Sequence, residues 1–159
     1  MVKGFISVLI IWIIIFTIAY LYFDTRLEPR VSVAREYLEN GAVIIPRSWD
    51  GHYYVNGSIN GFPIKFMIDT GASVVSVGKQ FARLADLPKG RPASFATAGG
   101  VVQGEMVFNQ TIEAGGIVMN GLQVSVGLHG DVALLGQNFL RSIDVIQSKD
   151  TMILRVRTE

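Results

Sequence analysis

The chain has 159 residues, with 14 basic against 13 acidic side chains, no cysteine, 17 glycines and 50% hydrophobic residues, and a mean hydropathy of +0.39, high for a soluble domain. A balance this even, with no run of Lys or Arg, argues against nucleic acid as a partner and against electrostatic docking to a membrane surface. Zero Cys excludes a disulfide framework, a thiolate zinc site and a cysteine nucleophile. His52 and His129 lie too far apart in sequence to offer metal-ligand spacing, so no metal and no cofactor is expected.

Residues 5–23, FISVLIIWIIIFTIAYLYF, carry no charge. Their length matches what one helix needs to cross a bilayer core of about 30 Å at about 1.5 Å per residue. No small-residue cleavage pattern follows the run, so it reads as an uncleaved signal anchor, with Trp12 mid-span and Tyr20, Tyr22 and Phe23 at an interface. The flank before it carries Lys3 and the amino terminus, whereas Asp24, Arg26, Glu28 and Arg30 mix signs after it. The positive-inside rule then leaves the N-terminus in the cytoplasm and the remainder in a periplasm-like space. Lys3 is the only charge in residues 1–23, so the rest of the chain is formally neutral. That remainder is long enough for one domain with its own core and too short for two.

Pro29, Val31, Ala34, Tyr37 and Leu38 give one apolar helical stripe that ends at Asn40-Gly41, a juxtamembrane stalk within residues 24–50. From Ala42 the pattern changes to short β-branched and aromatic runs punctuated by glycine. Strands are predicted over 52–59 and 62–68, joined by Asn60-Gly61, a strong hairpin signal. Further strands are predicted over 93–97, 101–113, 117–128, 132–135, 143–147 and 151–156, and short helices over 79–85 and 137–141. This density of short strands implies a mainly β domain over 51–159, a closed or nearly closed antiparallel β-barrel with one short C-terminal helix. The Gly-Gly pairs at 99–100 and 115–116 connect no strand to a helix in the order a phosphate loop requires.

The most informative stretch is Phe66-Met67-Ile68-Asp69-Thr70-Gly71-Ala72-Ser73. An apolar strand ends in a carboxylate, where desolvation is costly and structure alone seldom asks for a charge. Asp-Thr-Gly by itself is an ordinary turn.

In this context the chain resembles the retropepsin-like aspartic proteases, especially small bacterial membrane-anchored members, over residues 51–157. Three features carry the resemblance in order: Ile68-Asp69-Thr70-Gly71-Ala72-Ser73 as the catalytic motif, Thr97-Ala98-Gly99-Gly100-Val101 as the flap tip, and Leu134-Leu135-Gly136-Gln137-Asn138-Phe139-Leu140 as the apolar-apolar-Gly motif with its helix. The resemblance implies Asp69 as the catalytic carboxylate and Thr70, Gly71 and Ala72 as support of its loop. It implies Ala98, Gly99, Gly100 and Val101 as a flap over an extended polypeptide substrate, and Leu135 and Gly136 packed across the loop. Two-lobed relatives carry two such motifs; neither Asp131 nor Asp144 repeats the pattern here, so a homodimer would supply the second carboxylate at a twofold axis. Ser73, Val74 and Val75 follow Ala72 where retroviral members often carry an acidic residue, so their ion-pair network is absent or different. Residues 155–159 could contribute to a dimer sheet. Competing readings are a catalytically silent binding or dimerisation module on the same fold, and a hydrolase using Ser76 and Lys79.

Overall fold

In the computed structural model of the chain, the described residues are 2–27, 42–97, 99–128, 130 and 132–157, and side chains in the first of these stretches are described from Val8 to Phe23. The predicted stalk helix, Ala98, His129 and residues 158–159 lie outside them. Helix α1 (Val2–Leu27) takes up the uncharged run. All its large apolar side chains from Val8 to Phe23 stand exposed. Among the described residues no helix is long and apolar enough to cross a membrane, so the structure does not support the expected transmembrane span.

The rest is β structure with two short helices: β1 (Ala42–Pro46), β2 (Tyr54–Ile59), β3 (Phe62–Ile68), β4 (Val75–Gly78), α2 (Lys79–Leu84), β5 (Arg91–Thr97), β6 (Gly100–Ala114), β7 (Ile117–Leu128), β8 (Ala133–Leu135), α3 (Gln137–Leu140), β9 (Ile143–Gln147) and β10 (Thr151–Val156). Six strands, in the order β2-β3-β8-β4-β7-β6, close into a barrel through a final β2–β6 pairing, and β5 extends from β6 outside the ring. The closing contact needs a glycine. A Cβ on Gly57 would run into the Glu113 carbonyl across the β2–β6 seam.

The barrel is not the purely antiparallel one the hairpin spacing implied. β3 runs parallel to β8, with Ile68 beside Leu135, and β4 runs parallel to β7, with Ser76 beside Ser125. The reason is that β4 and β8 each leave a loop rather than a tight hairpin, so each can insert next to a distant strand in either direction. Within the stretch expected to be stalk, β1 pairs antiparallel with β10, which also pairs with β9, so β structure begins at Ala42. Asp144 of β9 takes bonds from Arg155 and Arg157, at 2.8 and 3.1 Å. These hydrogen bonds hold its carboxyl below the usual carboxylate range.

Strand pleating sends alternate residues inward. Val55, Ile59, Phe66, Val75, Val77, Ile112, Val124 and Leu135 fill the barrel, joined by Phe139 and Leu140 of α3. Burying each large apolar side chain contributes roughly 1.5–3 kcal/mol, which the ordering of the chain largely offsets. The Asn60-Gly61 turn has φ of 51° and 84° at its two central residues, the left-handed pair that matches strand twist. Asn60 also docks on β6, where its side chain bonds the buried Gln110 and the Thr111 amide.

Candidate active site

Asp69 follows directly from the inward-facing Ile68 at the end of β3. Its amide donates to the Leu135 carbonyl at 3.2 Å, prolonging the β3–β8 pairing by one residue. The chain then turns. The Gly71 amide donates to Asp69 Oδ1 at 2.8 Å and the Ala72 amide to the Asp69 carbonyl at 3.3 Å, so the carboxylate caps its own turn. A Cβ on Gly71 would stand 3.2 Å from that carboxylate oxygen, a crowded position for a side chain.

A second loop, from β8 into α3, clamps the first. The Gln137 and Asn138 amides donate to the Ala72 and Ser73 carbonyls at 2.8 and 3.1 Å, and the Gln137 side chain donates to the Thr70 carbonyl at 2.9 Å. Asn138 works in both directions, accepting from the Val75 amide at 2.9 Å and donating to the Gln123 carbonyl at 2.8 Å. Approach this close requires Gly136, since any Cβ there would enter the Val74 carbonyl. Neutral amide bonds thus tie the Asp69 loop to α3 at the place where an ion-pair network was in question. Gln137 and Asn138 were not singled out from sequence; the available signal was two amide side chains directly after the glycine that starts a helix.

The loop forms the floor of a groove of about 890 Å³. Asp69, Gly71, Ala72, Ser73 and Val74 line that floor; Ser76, Ser125, Gly127, Leu128 and Leu134 line one wall. Ser94 to Thr97 of β5 and Val102 of β6 line the other. Asp69 is the only charged side chain among these described lining residues. Between Gly100 and Gly104, β6 pairs with β5 alone, and its pairing with β7 starts at Glu105. This segment is hydrogen-bonded on one side only, and Gln103 and Gly104 still lie close against Val126 and Gly127 of β7. Its turn is braced by Thr97 Oγ1 donating to the Gly100 carbonyl at 2.7 Å.

Of the residues expected at the site, Asp69, Gly71 and Ala72 line the groove, and strand parity sets some of the differences. Val101 is 70% exposed, and Val102, one residue on, faces the groove in its place. Gly99 and Gly100 sit exposed at the hairpin tip. Leu135 is fully buried beneath the loop while Leu134 lines the groove. Thr70 is exposed beside the groove. Ser76 does not serve Lys79: its hydroxyl bonds Val74 and Ser125, and Lys79 opens α2 exposed to solvent. Among the described residues no group of His, Asp or Glu could hold a metal ion.

A family model described as "gag-polyprotein putative aspartyl protease" matches residues 55–142, more than half of the chain and all of the loops just described. The chain belongs to the retropepsin-like aspartic protease family. The solved structure of a retropepsin-like aspartic protease from Rickettsia conorii is similar to it at 30% identity and a TM-score of 0.60, over 73% of this chain and 90% of that one. An uncharacterised protein of Rickettsia prowazekii (strain Madrid E) is 30% identical over 168 residues, covering 96% of this chain and 72% of the relative. Another uncharacterised protein, from the cobV 5′ region of a Sinorhizobium species, is 29% identical over 123 residues; the match takes in 72% of this chain and 51% of that relative. The residues matched in this retropepsin-like chain include the Asp69 turn, the β5–β6 hairpin and the Gly136 loop.

Proposed function

We propose that this retropepsin-like chain is a membrane-anchored aspartic endopeptidase whose two catalytic carboxylates are the Asp69 residues of a homodimer. The observation that carries the reading is a single Asp-Thr-Gly turn whose carboxylate opens into a groove flanked by the β5–β6 hairpin. Two carboxylates about 3 Å apart share one proton, because like charges that close cannot both ionise. The ionised member takes a proton from water as the water oxygen bonds to the scissile carbonyl carbon, and the protonated member gives its proton to the carbonyl oxygen. The resulting diol collapses with a proton returned to the departing nitrogen. The C–N bond breaks, acid and amine products leave, and the pair again holds one proton.

In this reading Thr70, Gly71 and Ala72 hold the loop, Gly99 and Gly100 form the tip of a flap that closes over an extended polypeptide and excludes water, and Leu135 and Gly136 fix the loop from behind. Ala98 completes the flap tip. In this reading the anchor is the uncharged run 5–23; what supports it is that the large apolar side chains from Val8 to Phe23 all stand exposed on α1, which favours a lipid surrounding. The β domain then lies on the periplasmic side, with no nucleic acid among its partners.

The Gly71–Asp69 hydrogen bond gives Asp69 a structural role as turn cap as well, and one substitution separates the two. Asp69→Asn keeps an acceptor oxygen for the Gly71 amide but cannot take a proton from water. Cleavage of a denatured protein should fall by about 10²–10⁴-fold with an unchanged melting temperature; undiminished cleavage would sink the proposal.

A further inference from the structure

One wall of the groove carries a hydroxyl pair that neither the barrel nor a carboxylate dyad requires. β4 and β7 run parallel with Ser76 opposite Ser125. Their neighbours Val75, Val77, Val124 and Val126 are all buried in the core, so the pleat turns both serines to the other face. There they line the groove together with Asp69.

Proton counting fixes what this pair can offer. Each hydroxyl has one proton to donate. Ser76 donates to the Val74 carbonyl at 3.1 Å, and a carbonyl can only accept, so the proton of Ser76 is committed. The 2.7 Å contact between the two hydroxyls must then use the proton of Ser125. Both protons are spent within the wall, and among the described residues no donor is bonded to the Ser125 oxygen. In this arrangement the pair offers the groove the lone pairs of Ser125, a serine that is 5% exposed.

We propose that Ser76 and Ser125 form a subsite selecting a substrate residue with an uncharged hydrogen-bond-donating side chain, namely Asn, Gln, Ser or Thr; this rests on the endopeptidase reading above. An aliphatic side chain seated there would leave the Ser125 oxygen dry and without a donor, which is costly. A lysine would lose its hydration with no carboxylate at this wall to compensate, since among the described lining residues Asp69 alone is charged and it is engaged in the reaction. Neutral donors meet neither penalty.

The test offers the detergent-solubilised full chain a random-sequence decapeptide mixture and maps the cuts by mass spectrometry. At one position near the cut, Asn, Gln, Ser and Thr should be enriched over Val and Leu by roughly tenfold, the worth of one neutral hydrogen bond. In the double variant Ser76→Ala with Ser125→Ala, which removes both partners and orphans neither, that enrichment should vanish in favour of Val and Leu. An aliphatic preference in the wild type, or the same donor preference in both proteins, overturns the subsite. The wild-type profile decides alone if the double variant does not fold. Absence of any Asp69-dependent cutting would defeat the endopeptidase reading and not the subsite. In that case the same peptides are passed over immobilised Asp69→Asn chain, where retention of donor-bearing peptides upholds the subsite and unselective retention overturns it.

Discussion

Two hairpins of this chain share a secondary structure and little else. In β2–β3, Tyr54, Val55, Ile59, Phe66 and Ile68 are buried, both strands are built into the closed barrel, and the Asn60-Gly61 turn is docked on β6. From Arg91 to Met106, β5 and the outer half of β6 contain no buried residue among those described, and the first five residues of β6 pair with β5 alone. The first hairpin holds Asp69 at a fixed place through burial that is expensive to undo. The second has little buried area to lose in an opening, which is what the proposed flap role would need. Stability and access are thus divided between two elements, and they meet at the groove.

The largest expected effect tests the rigid half. Phe66→Ala removes a fully buried ring from β3 and should cost about 3–5 kcal/mol in chemical denaturation; a loss under about 1 kcal/mol would mean the β2–β3 hairpin is not the fixed support described. A smaller effect concerns the outer corner of the same hairpin. Tyr54 donates to Asp50 at 2.7 Å, and burial, with help from that carboxylate, raises its phenol to about 12. The folded value lies above the unfolded one, so this stabilisation is complete below about pH 10 and is lost as pH rises through about 12. Melting temperatures followed from pH 9 to 12 should fall more steeply for wild type than for Tyr54→Phe, whose neutral-pH loss should be about 1–2 kcal/mol; parallel curves would remove Tyr54 from the account. The smallest effect belongs to the exposed half. Val101→Ala, at a side chain 70% exposed, should change stability by no more than about 0.5 kcal/mol, and a larger loss would show that the hairpin tip is packed.

Much of this division was legible in the residues, for local reasons. Asn60-Gly61 announced its turn because both positions need positive φ, and β7, β9 and β10 matched their predicted limits because each is an apolar run bounded by turn residues. β4 escaped notice: Val75–Gly78 is too short for its alternation to stand out before a helix. The parallel β3–β8 and β4–β7 pairings join segments far apart in sequence, and no local pattern encodes such a register. The same limit applied to the site. Asp69 stood out because a carboxylate ends an apolar strand; Gly71 and Gly136 came only with the family resemblance, and the close approach at Gly136 is to Val74, far away in sequence. The exchange of Val102 for Val101 depended on strand parity, and the roles of Asn138 and Ser125 depended on partners brought in by the fold.

The central claim is that one Asp69 per chain makes half of a shared site, and mixing wild type with Asp69→Asn measures it most directly. A fixed amount of wild-type chain, equilibrated with increasing amounts of the variant, should lose nearly all peptide cleavage as mixed dimers replace wild-type ones. Cleavage that stays constant while mixed dimers demonstrably form would mean that each chain acts alone, and the shared dyad would have to be abandoned.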